Sequence, residues 1–212
     1  MHTQEESREA DGLRRALSLS DGVFAIAMTL LAFNLRLPPL PVGVSSELLM
    51  ATIHDAFPNI IGFVIAFHVI GVFWMAHQRM FAQLKGVDRG LLWRNHFYLL
   101  TIAFLPFSAS LIQQYGNLRS ATIFFAITLL LVSLASNRTW AYVEQHLTLV
   151  KHVDSHIFAI IRARSHIALV VFALAVLLAW FSPIAAQVTW ISLGFVNSLI
   201  EKRRFGKKAA QA

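Results

Sequence analysis

An ionisable side chain at the start of a long apolar stretch is the feature of this sequence that points most directly to function. Asp21 follows Ser20 and lies about one and a half helical turns beyond Arg15. A carboxylate this close to hydrocarbon is costly unless it is paired or faces water. Asp21 is therefore either part of a functional hydrogen-bond network or, with Ser18 or Ser20, an N-terminal cap that satisfies free backbone amides.

Histidines are the other groups with chemistry to offer. His68 lies inside an apolar segment, where it is either a neutral packing residue or part of a proton-sensitive site. His152, Asp154 and His156 alternate along a polar stretch and would suit a metal ion only if that stretch were extended, and this pattern in a solvated loop is usually incidental. We predict no metal site and no cofactor.

No pattern typical of an enzyme is present. The Ser, His and Asp residues fall on different apolar segments, without a nucleophile elbow or a His-Glu-x-x-His motif. The chain contains no cysteine, which excludes thiolate chemistry and disulfides. We therefore predict that the protein is not an enzyme.

The composition indicates that lipid is the solvent of this chain. Hydrophobic residues make up 57% and charged residues 14% of 212 residues, which is too apolar for a soluble domain of this size. The formal net charge of +7 is spread between the apolar segments and the tails and not along one face, so we predict no nucleic-acid partner. Membrane lipid is the partner that remains.

Six apolar segments are long enough to cross a bilayer, which predicts an all-α integral membrane protein with one domain over residues 1–212. Pro183 separates the last two segments and predicts a helix that ends before it and a second that restarts after it. We expect an extended connector at Pro38–Gly43 and an interfacial helix within Glu144–Arg164. The predicted spans are residues 18–37, 56–78, 96–114, 120–142, 165–181 and 184–200.

The basic residues give an independent test of this topology. If the N-terminus is inside, about sixteen of the eighteen Lys and Arg residues lie on the inner side, and only Arg36 and Arg119 lie outside. The positive-inside rule therefore predicts that both termini are cytoplasmic. We expect a multi-pass protein of the cell membrane. The basic stretch 202–208 is then an anchor on anionic lipid.

Two blocks of the sequence resemble a known family. Arg15, Ser20 and Asp21 are similar to the Arg-x-x-x-Phe-Ser-Asp signature that opens the first helix of the transmembrane protein 175 family of potassium channels, with Leu19 in the place of the Phe. The second block follows in order and at similar spacing. It comprises Phe73–Phe81, Asp88, Leu91–Asn95 and Leu105–Phe107.

The resemblance implies a homotetramer in which the first helix of each six-helix subunit lines a central pore. Bacterial members of the family have this organisation, and potassium and other monovalent cations would pass through such a pore passively. Apolar rings on the first helix would form a hydrophobic constriction that gates by dewetting. The implied pore-lining residues are Ile26, Thr29, Leu30 and Phe33, and the implied network that fixes the pore helix consists of Arg15, Ser20, Asp21, His77, Trp93 and Asn95.

Two other functions are compatible with the same residues. A proton-coupled transporter would use Asp21 with His68 or His77 as a proton relay across the bundle. A non-conducting membrane scaffold would make the Arg15 and Asp21 cluster purely structural and predicts no ion flux. Apolar residues at helical spacing are far more often packed or lipid-facing than pore-lining, so only the family resemblance favours the channel.

Overall fold

Helices form nearly all of the regular structure in the computed structural model, which describes residues 2–116 and 118–190, with side chains from Glu9 onward. A 3-10 turn at Leu31–Asn34 extends α1, and a second 3-10 turn covers Leu147–Leu149. Within the described ranges the only β-type pairing is a single antiparallel bridge between Leu84 and Val150. The α-helices are α1 (His2–Leu30), α2 (Ser46–Asp55), α3 (Phe57–Phe81), α4 (Arg89–Tyr115), α5 (Arg119–Gln145) and α6 (Ser155–Phe181).

Five helices in the described part of the chain are long and apolar enough to cross a membrane. They are the α1 segment Glu9–Asn34 together with α3, α4, α5 and α6, and they correspond to the first five predicted spans. Helices α4, α5 and α6 each contain 27 residues. At about 1.5 Å per residue each is about 40 Å long, which exceeds a hydrocarbon core of about 30 Å. Their ends therefore project beyond the hydrocarbon.

The helices begin earlier than the apolar segments because polar residues cap them. Asp88 caps α4 by accepting a hydrogen bond from the amide of Leu91 at 2.7 Å, so α4 begins at Arg89, seven residues before the predicted span at residue 96. Asp154 starts α6 by accepting the amides of His156 and Ile157 at 2.9 and 3.2 Å. The prediction of an interfacial helix within Glu144–Arg164 is wrong, since the end of α5, a short connector and the beginning of α6 share that segment.

The predicted sixth span lies partly within the described residues. Helix α6 ends at Phe181, Ser182 is not helical, and residues 183–190 are helical again from Pro183 onward. This confirms the predicted interruption. The remainder of the predicted span, residues 191–200, and the basic stretch 202–208 lie outside the described residues.

A short helix that the sequence did not predict follows the first span. Residues 35–41 have no regular secondary structure, as expected of the proline-rich connector, and α2 then begins at a Ser45 cap that accepts the amide of Leu48 at 3.2 Å. None of the residues of α2 is buried. Ala56 separates α2 from α3, whose first turn contains Pro58.

From α3 to α6, each helix packs against the next along the chain, and α1 packs against α3 and α4. The main apolar cluster includes Phe24 and Leu31 of α1, and a second cluster lies at the end of the bundle that carries the N-terminus, which we call the basal end. There the α3–α4 and α5–α6 connectors pair through Lys85 N–H to Leu149 O and Lys151 N–H to Gln83 O, both at 2.9 Å. The second cluster contains Leu13, Ala16, Met80, Phe81, Leu84, Leu91, Trp140, Val143, Val150 and Phe158.

Candidate functional site

Helix α1 has two faces with opposite environments. One face is buried against α3 and α4 and includes the polar Ser20. Successive residues on an α-helix are about 100° apart, so positions three, four and seven apart share a face. The opposite face is exposed along its whole length. The buried face contains Leu13, Ala16, Ser20, Phe24, Ala27 and Leu31, and the exposed face, which we call the α1 stripe, contains Arg15, Leu19, Gly22, Ile26, Thr29, Leu30 and Phe33.

A buried hydrogen-bond chain fixes the inner face of α1 to its two neighbours. The Ser20 hydroxyl donates to the carbonyl of Ala16 at 2.8 Å and accepts from Asn95 Nδ2 at 3.1 Å. The amide oxygen of Asn95 lies 2.9 Å from His77 Nε2. Since an amide oxygen only accepts, His77 carries its proton on Nε2. Residues from α1, α3 and α4 are thus joined in one chain.

Aromatic rings hold the His77 side chain in place. The ring stacks on Phe81 with centroids 4.1 Å apart, lies parallel to Tyr98 at 5.7 Å and contacts Phe24 at 5.7 Å. His77 is completely buried, and its Nδ1 has no hydrogen-bond partner. A ring packed on this many sides has one orientation, so it presents Nε2 to Asn95 in a fixed position.

Asp21 is held by a second pair of donors on α3. Its Oδ1 accepts from Trp74 Nε1 at 2.9 Å and from the side-chain amide of Gln78. Because α1 begins at His2, Asp21 lies far inside the helix, and the interpretation of Asp21 as an N-terminal cap is wrong. The sequence analysis missed Trp74 and Gln78. Their four-residue spacing, which places both on one face of α3, was the available signal.

Two residues of the predicted network lie apart from these contacts. Arg15 is exposed on the α1 stripe, and within the described part of the chain it forms no hydrogen bond or ion pair. Trp93 is 54% exposed and packs on His96 and Phe97. The structure therefore brings together Ser20, Asn95 and His77.

The predicted pore-lining residues all lie on the α1 stripe. Ile26 is 60% exposed and Phe33 67% exposed, and Thr29 and Leu30 lie between them. The Thr29 hydroxyl lies 3.0 Å from the carbonyl of Ala25 and 2.9 Å from that of Ile26, so its proton is directed at the backbone. The hydroxyl oxygen keeps a lone pair for another partner.

The remaining polar candidates have local roles. His68 bonds to the carbonyl of Val64 one turn earlier, with Nδ1 2.7 Å from the oxygen. The backbone amides of Ile157 and His156 lower the pKa of Asp154, which therefore acts as a helix cap. Among residues 2–116 and 118–190, no three His, Cys, Asp or Glu side chains are placed to hold a metal ion.

A cavity of about 660 Å³ opens between α3, α5 and α6. Its walls are mostly apolar, and it reaches Trp190, the last described residue. No described residue of α1 lines it. The cavity and the α1 stripe are thus separate features of the molecule.

Comparison with known proteins identifies relatives over most of the chain. A protein named potassium channel from Chamaesiphon minutus is 29% identical over 185 residues, which cover 84% of this chain and 91% of that protein. A second potassium channel, from Streptomyces collinus, is 30% identical over 141 residues, which are 66% of each chain.

Solved structures share the fold. The crystal structure of a lysosomal potassium-selective channel TMEM175 homologue from Chamaesiphon minutus superposes with a TM-score of 0.75 at 24% identity, covering 88% of this chain and 96% of the other. A crystal structure of an MtTMEM175 variant gives a TM-score of 0.60 at 18% identity, covering 93% and 94%.

The family model described as endosomal/lysosomal potassium channel TMEM175 matches residues 15–106. That range begins at Arg15 and contains the α1 stripe, Asp21 with its donors on α3, and the chain of Ser20, Asn95 and His77. This is a family of channels and not of enzymes. The chain therefore belongs to the TMEM175 family.

Proposed function

We propose that this protein is a potassium-permeable cation channel of the cell membrane, in which four copies surround a central pore lined by α1. The observation that carries the proposal is the α1 stripe. It is a row of exposed residues along a helix whose other face is buried and joined to α3 and α4 by hydrogen bonds. The relatives named potassium channels support the choice of ion.

The composition of the α1 stripe suits a pore with a hydrophobic constriction. Of the four proposed pore-lining residues, Ile26 is nearest the basal end, Thr29 and Leu30 follow one turn later, and Phe33 another turn later, in steps of about 5 Å. In a four-fold assembly each position becomes a ring. An Ile26 ring would exclude water when narrow and so close the path without any charged group.

Thr29 supplies the polar group nearest to that constriction. Its hydroxyl proton is directed at the backbone, so a ring of four Thr29 oxygens would present lone pairs to the lumen. Such a ring compensates a monovalent cation for part of the hydration that it loses on entry. Thr29 is therefore the proposed contact for the ion, while Leu30 and Phe33 shape the path beyond it.

The contacts on the inner face of α1 set the rotation of the pore helix. Ser20 is fixed to Asn95 and, through it, to His77, and Asp21 is fixed to Trp74 on α3. A rotation of α1 that removed Ile26 from the axis would break these hydrogen bonds. The network thus positions the pore helix and need not touch the ion.

The alternative function is a proton-coupled transporter that uses Asp21 and membrane histidines. The hydrogen bonds of these residues do not favour it. The Asp21 carboxylate accepts from Trp74 and Gln78, the Nε2 of His77 bonds to Asn95, and His68 bonds to its own helix. Within residues 2–116 and 118–190, no hydrogen bond joins these three titratable groups into a relay.

Potassium flux into liposomes tests the proposal. The variant Ile26→Ala should change the flux, because it widens the proposed constriction. Leu100→Ala is the matched control, since Leu100 on α4 is 59% exposed, as Ile26 is 60% exposed, but lies off the α1 stripe. Asp21→Asn with and without a proton gradient tests the alternative.

Three outcomes of the flux assay would contradict the proposal. They are the absence of potassium flux, a strict dependence on a proton gradient, and equal effects of Ile26→Ala and Leu100→Ala. The mass in detergent, measured by light scattering, should correspond to four chains. A monomer would exclude a central pore between subunits. Because the chain lacks cysteine, single cysteines placed at Glu9 and Val42 should react from opposite sides of the membrane, with Glu9 on the cytoplasmic side.

A further inference from the structure

Arg15 is the first residue of the α1 stripe, and its charge has no role in the contacts described above or in the proposed conduction path. It is exposed, and no described residue bonds to it. Its neighbour Arg14 forms an ion pair with Asp11, so the charge of that residue is compensated. Asp21, the other charged residue of the family signature, accepts a hydrogen bond from Trp74 on α3.

The position of Arg15 on α1 determines where its charge lies in an assembly. Arg15 precedes Ile26 by eleven residues, which is three turns within about 20°, so the two side chains leave the helix in nearly the same direction. The rise between them is about 16 Å. If Ile26 faces the pore axis, Arg15 faces the same axis at the basal mouth.

We propose that four Arg15 side chains form a binding site for a polyvalent phosphate anion at the basal mouth of the pore. This inference rests on the proposed channel and its four-fold arrangement. Guanidinium groups bind phosphate oxygens through pairs of charge-assisted hydrogen bonds, and a ring of four matches an anion with several phosphates. A bound anion lies across the entrance and blocks the cation path.

The surroundings of Arg15 favour such a ligand. Leu19 and Gly22 follow Arg15 on the α1 stripe and carry no charge. Asp11, one turn before Arg15, shares that side of α1 but is paired with Arg14. The mouth therefore has an uncompensated positive charge from each subunit, which raises the local concentration of anions.

The test measures block of potassium current in planar bilayers by inorganic tripolyphosphate added to one side at a time. We expect block from the basal side alone, weakening as ionic strength rises because salt screens the ring. Arg15→Gln should raise the half-blocking concentration by about tenfold or more, since each lost guanidinium–phosphate contact is charge-assisted. Arg15→Lys keeps the charge but loses the paired hydrogen bonds, so it should weaken the block less than Arg15→Gln does.

Arg89→Gln is the matched control, because Arg89 is also an exposed arginine at the basal end but lies on α4, off the α1 stripe. It should leave the block nearly unchanged. A conducting wild-type channel that tripolyphosphate does not block would overturn this inference alone, and so would equal losses in Arg89→Gln and Arg15→Gln. A wild-type protein without potassium current would overturn the proposed channel and this inference with it.

A second ligand and a second measurement complete the test. Equal block by tripolyphosphate and ATP assigns the site to the triphosphate chain, whereas stronger block by ATP assigns it to a nucleotide, and both outcomes support the ring. Calorimetric titration of the detergent-solubilised protein with tripolyphosphate measures binding without conduction. Binding that persists in Arg15→Gln would contradict the assignment.

Discussion

The substitution Asn95→Leu tests whether the buried chain of Ser20, Asn95 and His77 fixes the pore helix. Leucine has a similar volume and removes both hydrogen bonds of the amide. Ser20 still donates to the carbonyl of Ala16, so its hydroxyl proton remains satisfied. The Nε2–H of His77 is left buried without a partner, because its ring stays packed on Phe81.

The expected loss of stability follows from these contacts. An orphaned buried donor costs about 1–3 kcal/mol. The bond between Asn95 and Ser20 contributes about 0.6 kcal/mol, the average for an interhelical hydrogen bond in a membrane protein. We therefore expect Asn95→Leu to lower the free energy of unfolding by about 2–4 kcal/mol. The same substitution should alter potassium flux, because α1 loses a contact that sets its rotation.

Reversible unfolding in mixed micelles, followed by tryptophan fluorescence, measures the free energy of unfolding. The control is Ser108→Ala, since Ser108 is also buried on α4 but bonds only to the carbonyl of Leu105 on its own helix, at 3.0 Å. It should cost about 1 kcal/mol or less. A loss in Asn95→Leu no larger than in Ser108→Ala, or a gain in stability, would refute the reasoning. Adding Ser20→Ala completes a double-mutant cycle that isolates one bond.

Three further predictions concern other parts of the molecule. Thr29→Val keeps the volume of the side chain and removes its oxygen, so the ratio of potassium to sodium permeability from reversal potentials should fall, and an unchanged ratio would remove Thr29 from ion contact. A Cβ on Gly90 would overlap the Tyr142 hydroxyl, which donates to Asp88 at 2.7 Å, so Gly90→Ala should lower the melting temperature more than Tyr142→Phe does; equal effects would show that overlap contributes nothing. The lowered pKa of Asp154 means that its charge stabilises the start of α6 fully above the unfolded pKa of about 3.9, and that this contribution is lost as pH falls through the lower folded value. Asp154→Ala should therefore speed hydrogen exchange at residues 155–158 at pH 6 and have a smaller effect in acid, and no effect at pH 6 would contradict the cap.

Hydropathy was sufficient to predict the first five spans but not the points where their helices begin. The apolar segments start well inside α4 and α6, whereas the helices start where Asp88 and Asp154 satisfy free amides. A short side chain that accepts a backbone amide leaves little trace in an average over twenty residues. Helix α2 escaped prediction because its ten residues are too few to span a membrane and it buries none of them.

The sequence identified the polar residues of the candidate site but not the side chains that bind them. Ser20 and Asp21 stood out because they are polar in an apolar segment, but the side chains that bind them depend on how α1 is rotated against α3 and α4. That rotation is set by packing of large side chains such as Phe24. Their six-residue spacing separates Arg15 from Asp21 by about 120° around α1, so a rotation that turns Asp21 towards α3 leaves Arg15 exposed.

The paired connectors at the basal end have a mechanical consequence. Two backbone hydrogen bonds and the buried Leu84 and Val150 join the α3–α4 connector to the α5–α6 connector. The four helix ends at this end of the bundle are therefore coupled to one another. At the far end, residues 35–41 lack regular structure and α2 is unburied, so stiffness falls along the molecule. A protein that binds at residues 35–41 and α2 will therefore displace the helices at a lower free-energy cost than one that binds at the paired connectors.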